Sequence, residues 1–223
     1  MGITLAEEIM LLCLDEESGV PRQRQAAGWA AAGGILLELV MAERVSVSGL
    51  YLELGDTTPT GDPLLDSRIV LIGAWLRGRS KGRVTDWLTK DHAKVVDAAL
   101  EGLTARGLVV AQARQSLGLF PQRRYAQADG AVERALRQRL SAAVLGDAEP
   151  DERTAGLIAL LHSAGLHQLA FPGRAPGSVA PRMAETAAGQ WAAEGVRAAI
   201  RDVQAAMATV AAATALTLAP PAD

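Results

Sequence analysis

Cys13 is the only thiol among 223 residues, which excludes an internal disulfide and a thiolate metal centre and fits a reducing compartment. Lysine is nearly as scarce, with three residues against nineteen arginines. An overall positive charge is also missing. The formal charge of -3 excludes a globally basic nucleic-acid binder and leaves room only for a local basic patch. There is no leader-like start, because the first apolar run carries Glu7 and Glu8 and lacks basic residues before it, so a cytoplasmic protein is expected. The longest uncharged stretch, Ala205 to Ala219, is mostly Ala and Thr and falls short of the roughly twenty apolar residues of a spanning helix. It reads as a buried Ala-rich helix packing closely on others.

The usual carriers of catalysis are absent as well. The chain has no P-loop and no GxGxxG after a strand, and His162 and His167 lie five apart without the acid of a zinc-protease helix. Asp62 and Asp66 form a carboxylate pair, yet their setting makes Asp62 a turn former and Asp66 a helix-start residue. A non-enzymatic protein without metal or cofactor is the expectation.

What is present is a soluble globular composition, 49% hydrophobic and 21% charged, with no internal repeat. Thr4 to Leu14 reads as a helix, with Thr4 as N-cap and Glu7 closing a capping box. Gln25 to Arg44 is nearly uncharged until Glu38 and belongs in the middle of a bundle. Val45 to Leu54 alternates around Ser48-Gly49 as a hairpin. Thr57 to Asp66, TTPTGDPLLD, is a rigid loop built on Pro59, Gly61 and Pro63. Ile69 to Leu76 follows as an apolar helix, then a basic loop from Arg77 to Arg83. A short helix around Trp87 precedes an amphipathic one from Asp91 to Arg106, and Leu108–Gln112 with Gly118–Tyr125 forms a second hairpin. Helices are expected over Gly130–Leu145, with Arg134, Arg137 and Arg139 largely toward solvent, then over Ala155–Leu166 and Met183–Leu218. A Gly/Pro loop, Phe171 to Pro181, separates the last two.

Charge is segregated along this chain. The first 66 residues hold three basic and eleven acidic side chains. From Arg68 to Lys94 there are seven basic residues against Asp86 and Asp91. Such a run is either a solvated surface or an anion-binding face. The order helix, turn, helix, strand, turn, strand from Val84 to Tyr125 also admits a winged helix, with Arg114, Arg123 and Arg124 on its wing. Asp97 and Glu101 on the would-be recognition helix argue against DNA, so no nucleic acid is expected.

Several ordered phrases together resemble the Golgi phosphoprotein 3 (GPP34) family, which has bacterial members. They are Thr4 to Leu14, Gly34-Ile-Leu-Leu-Glu-Leu39 with Arg44, Pro59 to Asp66, Asp86-Trp-Leu88, Leu103 to Leu108, and Leu119-Phe120. The resemblance implies a single mainly α domain over 1–223, with a buried central helix bundle and surface β-hairpins. It further implies a binding protein that contacts phosphatidylinositol 4-phosphate in membranes, captures cytoplasmic tails of membrane proteins, and self-associates through the hairpin at 108–125. At the positions of the family's lipid pocket this chain has Gln23, Ala32, Ala93 and Val96. The basic residues left nearby are Arg22, Arg24, Lys90 and Lys94, together with Arg77, Arg79 and Lys81. The expectation is therefore a cytoplasmic protein, peripheral on the inner face of the membrane, that binds anionic phospholipid or phosphoinositide headgroups through these seven side chains. A protein-interaction module without lipid binding is the alternative.

Overall fold

Thr4 caps helix α1 (Leu5–Cys13): its hydroxyl accepts from the Glu7 N–H, and the Glu7 carboxylate accepts from the Thr4 N–H at 2.6 Å. The chain reverses through Asp15 to Gly19, with Leu14 bridged to Pro21, and enters α2 (Arg24–Met41). The computed structural model describes residues 2–114, 122–128, 130–189 and 194–218. Among these it contains nine helices and five strands, a single mainly α domain.

Helix α2 is the central element, as its uncharged sequence demands. Three glycines let neighbours approach its backbone. A Cβ on Gly28 would meet the His92 carbonyl of α4 (Val84–Ala105) at 2.4 Å. One on Gly33 would meet Leu160 of α6 (Glu152–Ser163) at 2.7 Å and Val203 of α9 (Glu194–Leu218) at 3.1 Å. One on Gly34 would meet Leu5 of α1 at 3.0 Å. Helix α2 is thus enclosed on several sides, and Ala30, Ala31, Ala32, Ile35 and Leu36 are fully buried.

Strands β1 (Val45–Ser48) and β2 (Tyr51–Leu54) form the first hairpin, with Gly49 and Leu50 both at positive φ, as a two-residue primed turn requires. In the loop that follows, Asp62 forms the turn and Asp66 sits in the first helical turn, as expected, and Asp62 also caps the helix. Asp62 is the N-cap of α3 (Pro63–Trp75) and accepts from the Leu64 and Leu65 N–H groups. Asp66 reaches back from the first helical turn to accept from the Thr60 N–H at 2.6 Å and hydroxyl at 2.7 Å. The helix therefore starts at Pro63, where proline's missing N–H is harmless, rather than at Ile69.

Further differences lie downstream. Val84 to Ala105 is one unbroken helix, so there is no turn at Asp91 and the helix-turn-helix reading has nothing to stand on. The turn is absent because Asp91 is drawn into the core by Arg68, as described below. Strands β4 (Val109–Arg114) and β5 (Gln122–Gln127) pair antiparallel, and 115–121, which includes most of the expected hairpin turn, lies outside the described residues. On α5 (Ala131–Val144), Arg137 and Arg139 are not free in solvent. Arg137 binds Glu133 and the Leu169 and Ala170 carbonyls, and Arg139 binds Glu8 at 2.7 Å. After the short α7 (His167–Ala170), α8 (Pro176–Ala188) begins inside the expected Gly/Pro loop because Pro176 is a favourable first helical residue. It ends at Gly189, so Met183 to Leu218 is not one helix. Among its described side chains α9 buries one stripe, Ala199, Ile200, Val203, Ala206, Met207 and Val210, while Ala205, Ala208 and Ala211 are exposed. Small side chains there serve close packing on one side, not burial all round.

An ionic cluster fastens α1 to the rest. Arg106 bridges Glu7 at 3.1 Å and Asp62 at 2.5 Å, joining the first helix to the Asp62 loop. Arg153 lies 3.2 Å from Glu38 and 3.4 Å from Glu8. Burial pushes the Glu38 carboxyl up to about 7, against the opposing pull of Arg153 and of the Leu5 N–H. The unfolded chain releases this proton near 4.5, so between those two values the folded state holds a proton that the unfolded state has lost. Stability from this group is therefore complete below the unfolded value and declines as pH rises through about 7. Glu38→Gln, which keeps an oxygen for the Leu5 N–H, is expected to gain roughly 1–3 kcal/mol on the parent between about pH 5 and about pH 8 in urea titrations. The same difference at both pH values would refute this.

Candidate functional site

The segment after α3 is too rich in glycine and charge to continue the helix. Leu76 closes it, Gly78 turns at φ +81, and the chain re-enters the first sheet as a third strand, β3 (Lys81–Arg83), antiparallel to β2. The basic stretch is thus a sheet edge and not a loop throughout. Alternation along β3 sorts its side chains: Gly82 faces inward and Lys81 and Arg83 face outward. Gly82 is required there because the Trp75 ring lies where its Cβ would be, at 2.3 Å. Trp75 in turn leans on Trp87, with ring centroids 5.4 Å apart.

On the outer face Lys81 Nζ lies 4.7 Å from the Tyr51 ring centroid and the Arg83 guanidinium carbon 5.9 Å from it. Arg79 lies 5.8 Å from the Trp75 ring. These aromatic faces orient the cations, and Glu53 of β2 stands directly across from Lys81 without forming an ion pair with it. Arg77, Arg79, Lys81 and Arg83 are all exposed, and Lys90 and Lys94 are exposed on the first half of α4. Among the described residues none of the six takes part in an ion pair, whereas ten arginines elsewhere do.

The other residues expected at the site are placed differently. Arg24 pairs with Asp97 at 2.6 Å, one turn beyond Lys94. Arg22 lines a cleft of about 350 Å³ whose wall also carries Asp15, Glu16, Glu17 and Glu133, an acidic surrounding. Arg68, counted in the sequence among the basic run, is buried and bonded through Nε to Asp91 at 3.0 Å. That pair removes one charge of each sign, so the excess of positive charge on the surface segment is unchanged. Burial raises the Asp91 carboxyl above its ordinary range even though Arg68 pulls it down, which shows desolvation to be the stronger effect.

The four positions assigned to a lipid pocket by resemblance also sort by burial. Ala32 and Val96 are wholly enclosed, Ala93 is exposed, and Gln23 is exposed at φ 47 just before α2. Two of the four have no surface to offer a headgroup. What sequence reasoning missed was β3 and its aromatic partners. The Lys-Gly-Arg alternation is a signal, but three residues are too few to identify a strand whose partner is 30 positions away.

Among the described residues no helix is long and apolar enough to cross a membrane, and no group of His, Cys, Asp and Glu is arranged to hold a metal ion. The fold and the unpaired basic edge define a mainly helical domain that displays local positive charge on a small antiparallel sheet. The chain belongs to the Golgi phosphoprotein 3 (GPP34) family, whose model matches residues 5–203. No curated protein matches it.

Proposed function

We propose that this protein is a non-enzymatic adaptor that docks peripherally on the cytoplasmic face of a membrane by binding anionic phospholipid headgroups through Arg77, Arg79, Lys81, Arg83, Lys90 and Lys94. The observation that carries this reading is that, among the described residues, none of the six has an ion-pair partner, in a molecule whose arginines are otherwise widely paired. An unpaired cation keeps its full attraction for a lipid phosphate, and each contributes about 1 kcal/mol near an anionic surface. Because the attraction acts within a Debye length, it weakens with salt. Arg22 and Arg24, closer to carboxylates, are secondary contributors. Cytoplasmic tails of membrane proteins and a second copy meeting the 108–125 hairpin are the protein partners that go with this role.

Co-sedimentation with vesicles tests it. Vesicles of equal parts phosphatidylcholine and phosphatidylglycerol are expected to bind the protein at low salt, and phosphatidylcholine alone is not. Replacing Arg77, Arg79, Lys81 and Arg83 together by Gln is expected to weaken binding roughly a thousand-fold. Equal binding to neutral and anionic vesicles, or none to either, would overturn the proposal.

A further inference from the structure

Helix α3 is apolar on nearly all sides, but the core uses only part of it. Leu64, Leu65, Ile69 and Ile72 are buried, whereas Val70 is 71% and Leu71 42% exposed, with Ala74 exposed one turn further on. Single exposed apolar side chains are ordinary. Here two of the four exposed large hydrophobics among the described residues, Val70 and Leu71, are adjacent on one helical turn. That turn leads directly into the unpaired cations: from Ser67 to Thr85 there is no carboxylate at all, and the only buried cation in the interval, Arg68, is already matched. Trp75, half-buried beneath Arg79, stands at the boundary between the apolar and the charged parts. An apolar helix face bordered by cations and an indole is the composition of a segment that lies in the membrane interface. A protein groove would satisfy the apolar face, but it would have no need of the four adjoining cations.

We infer that the outer face of α3, through Val70, Leu71 and Ala74, inserts among the acyl chains of an anionic leaflet while Arg77, Arg79, Lys81 and Arg83 engage the headgroups beside it. This rests on the peripheral reading above and adds its orientation and depth: α3 lies along the membrane surface with its Val70 side down. The 13-residue helix is too short to span a bilayer, and burial of two branched side chains supplies the salt-resistant part of binding.

The intact 223-residue chain serves for the test, because Cys13 is fully buried, with its thiol pushed up to about 12, and does not compete for labelling. An environment-sensitive fluorophore is placed on Val70→Cys and, as a control, on Glu185→Cys, an exposed site on α8, which packs against α5, α6 and α7. With vesicles of equal parts phosphatidylcholine and phosphatidylglycerol, the label at 70 is expected to shift to the blue and brighten, and the label at 185 to stay unchanged. Val70→Ser with Leu71→Ser, both surface changes, is expected to reduce binding at raised salt on the order of ten- to hundred-fold and to leave most of the low-salt attraction. Salt-sensitive binding with the label at 70 still in water overturns the insertion and leaves the peripheral reading intact. Absence of binding at low salt overturns both. A label at 70 already shielded without vesicles, with a dimer in sedimentation, overturns the insertion in favour of a contact between two copies.

Discussion

Arg68→Ala is expected to lose about 3–5 kcal/mol of stability, a large share of what a domain of this size has. The side chains of Arg68 and Asp91 are only 6% and 2% exposed, and their contact joins α3 to the middle of α4. Truncating the arginine strands a carboxylate that burial already holds above its usual range. The loss is chiefly the desolvation of an unmatched charge, not the intrinsic worth of the pair, and two consequences separate these. Arg68→Met combined with Asp91→Leu should recover most of the loss, because it removes both charges and keeps the volume. In the single variant Asp91 becomes still harder to ionise, so its folded form binds a proton at a pH where the unfolded chain does not. Stability should therefore improve as pH falls and worsen as pH rises, the sign proper to a carboxyl raised in the fold. Urea titrations of the two variants at several pH values decide the matter. A single-variant loss below about 1 kcal/mol would show that the pair is solvated in solution.

The same residue shows where sequence reading succeeds and where it stops. Local rules reach anything set within a few positions: Thr4 and Glu7 close the capping box that their spacing announces, and the uncharged run of α2 is the central helix. Asp62 and Asp66 were legible as a structural pair, but which of them caps the helix depended on Pro63 fixing its start. Arg68 reads as one more cation in a basic run because nothing nearby reveals that Asp91, 23 positions on, faces it in the core. Likewise the basic loop hides a strand, since β3 exists only through its pairing with β2. The candidate site was legible as a charge excess. Its unpaired state, its aromatic rests and the apolar face of α3 were not, because each is a property of what fails to pack against it.

The close crossing of α2 and α4 gives the second large effect, and it turns on a competition of known sizes. Gly28→Ala would ordinarily stabilise an α-helix by about 1 kcal/mol, since glycine in a helix interior loses more backbone freedom than alanine. At this position the new methyl would sit 2.4 Å from the His92 carbonyl oxygen, 3.1 Å from its carbon, and 3.3 Å from Val96 Cγ2. The obstacle is helix backbone, which cannot swing aside as a long side chain can, so α2 and α4 must move apart along a contact that also carries Trp29 against His92. Overpacking of this kind loses about 1–3 kcal/mol, occasionally more, and exceeds the propensity gain. Gly28→Val adds two methyls to the same clash and a β-branched penalty, and is expected to lose more than 3 kcal/mol or fail to fold. Gly195 at the start of α9 is the control, because among the described residues nothing lies within 4 Å of its Cβ direction. There the same alanine substitution is expected to be neutral or to stabilise by up to about 1 kcal/mol. Thermal or urea unfolding of the two alanine variants side by side reads the difference in sign. If Gly28→Ala matched Gly195→Ala, the two helices would not approach as closely as the structure places them, and the central position of α2 would lose its main physical support.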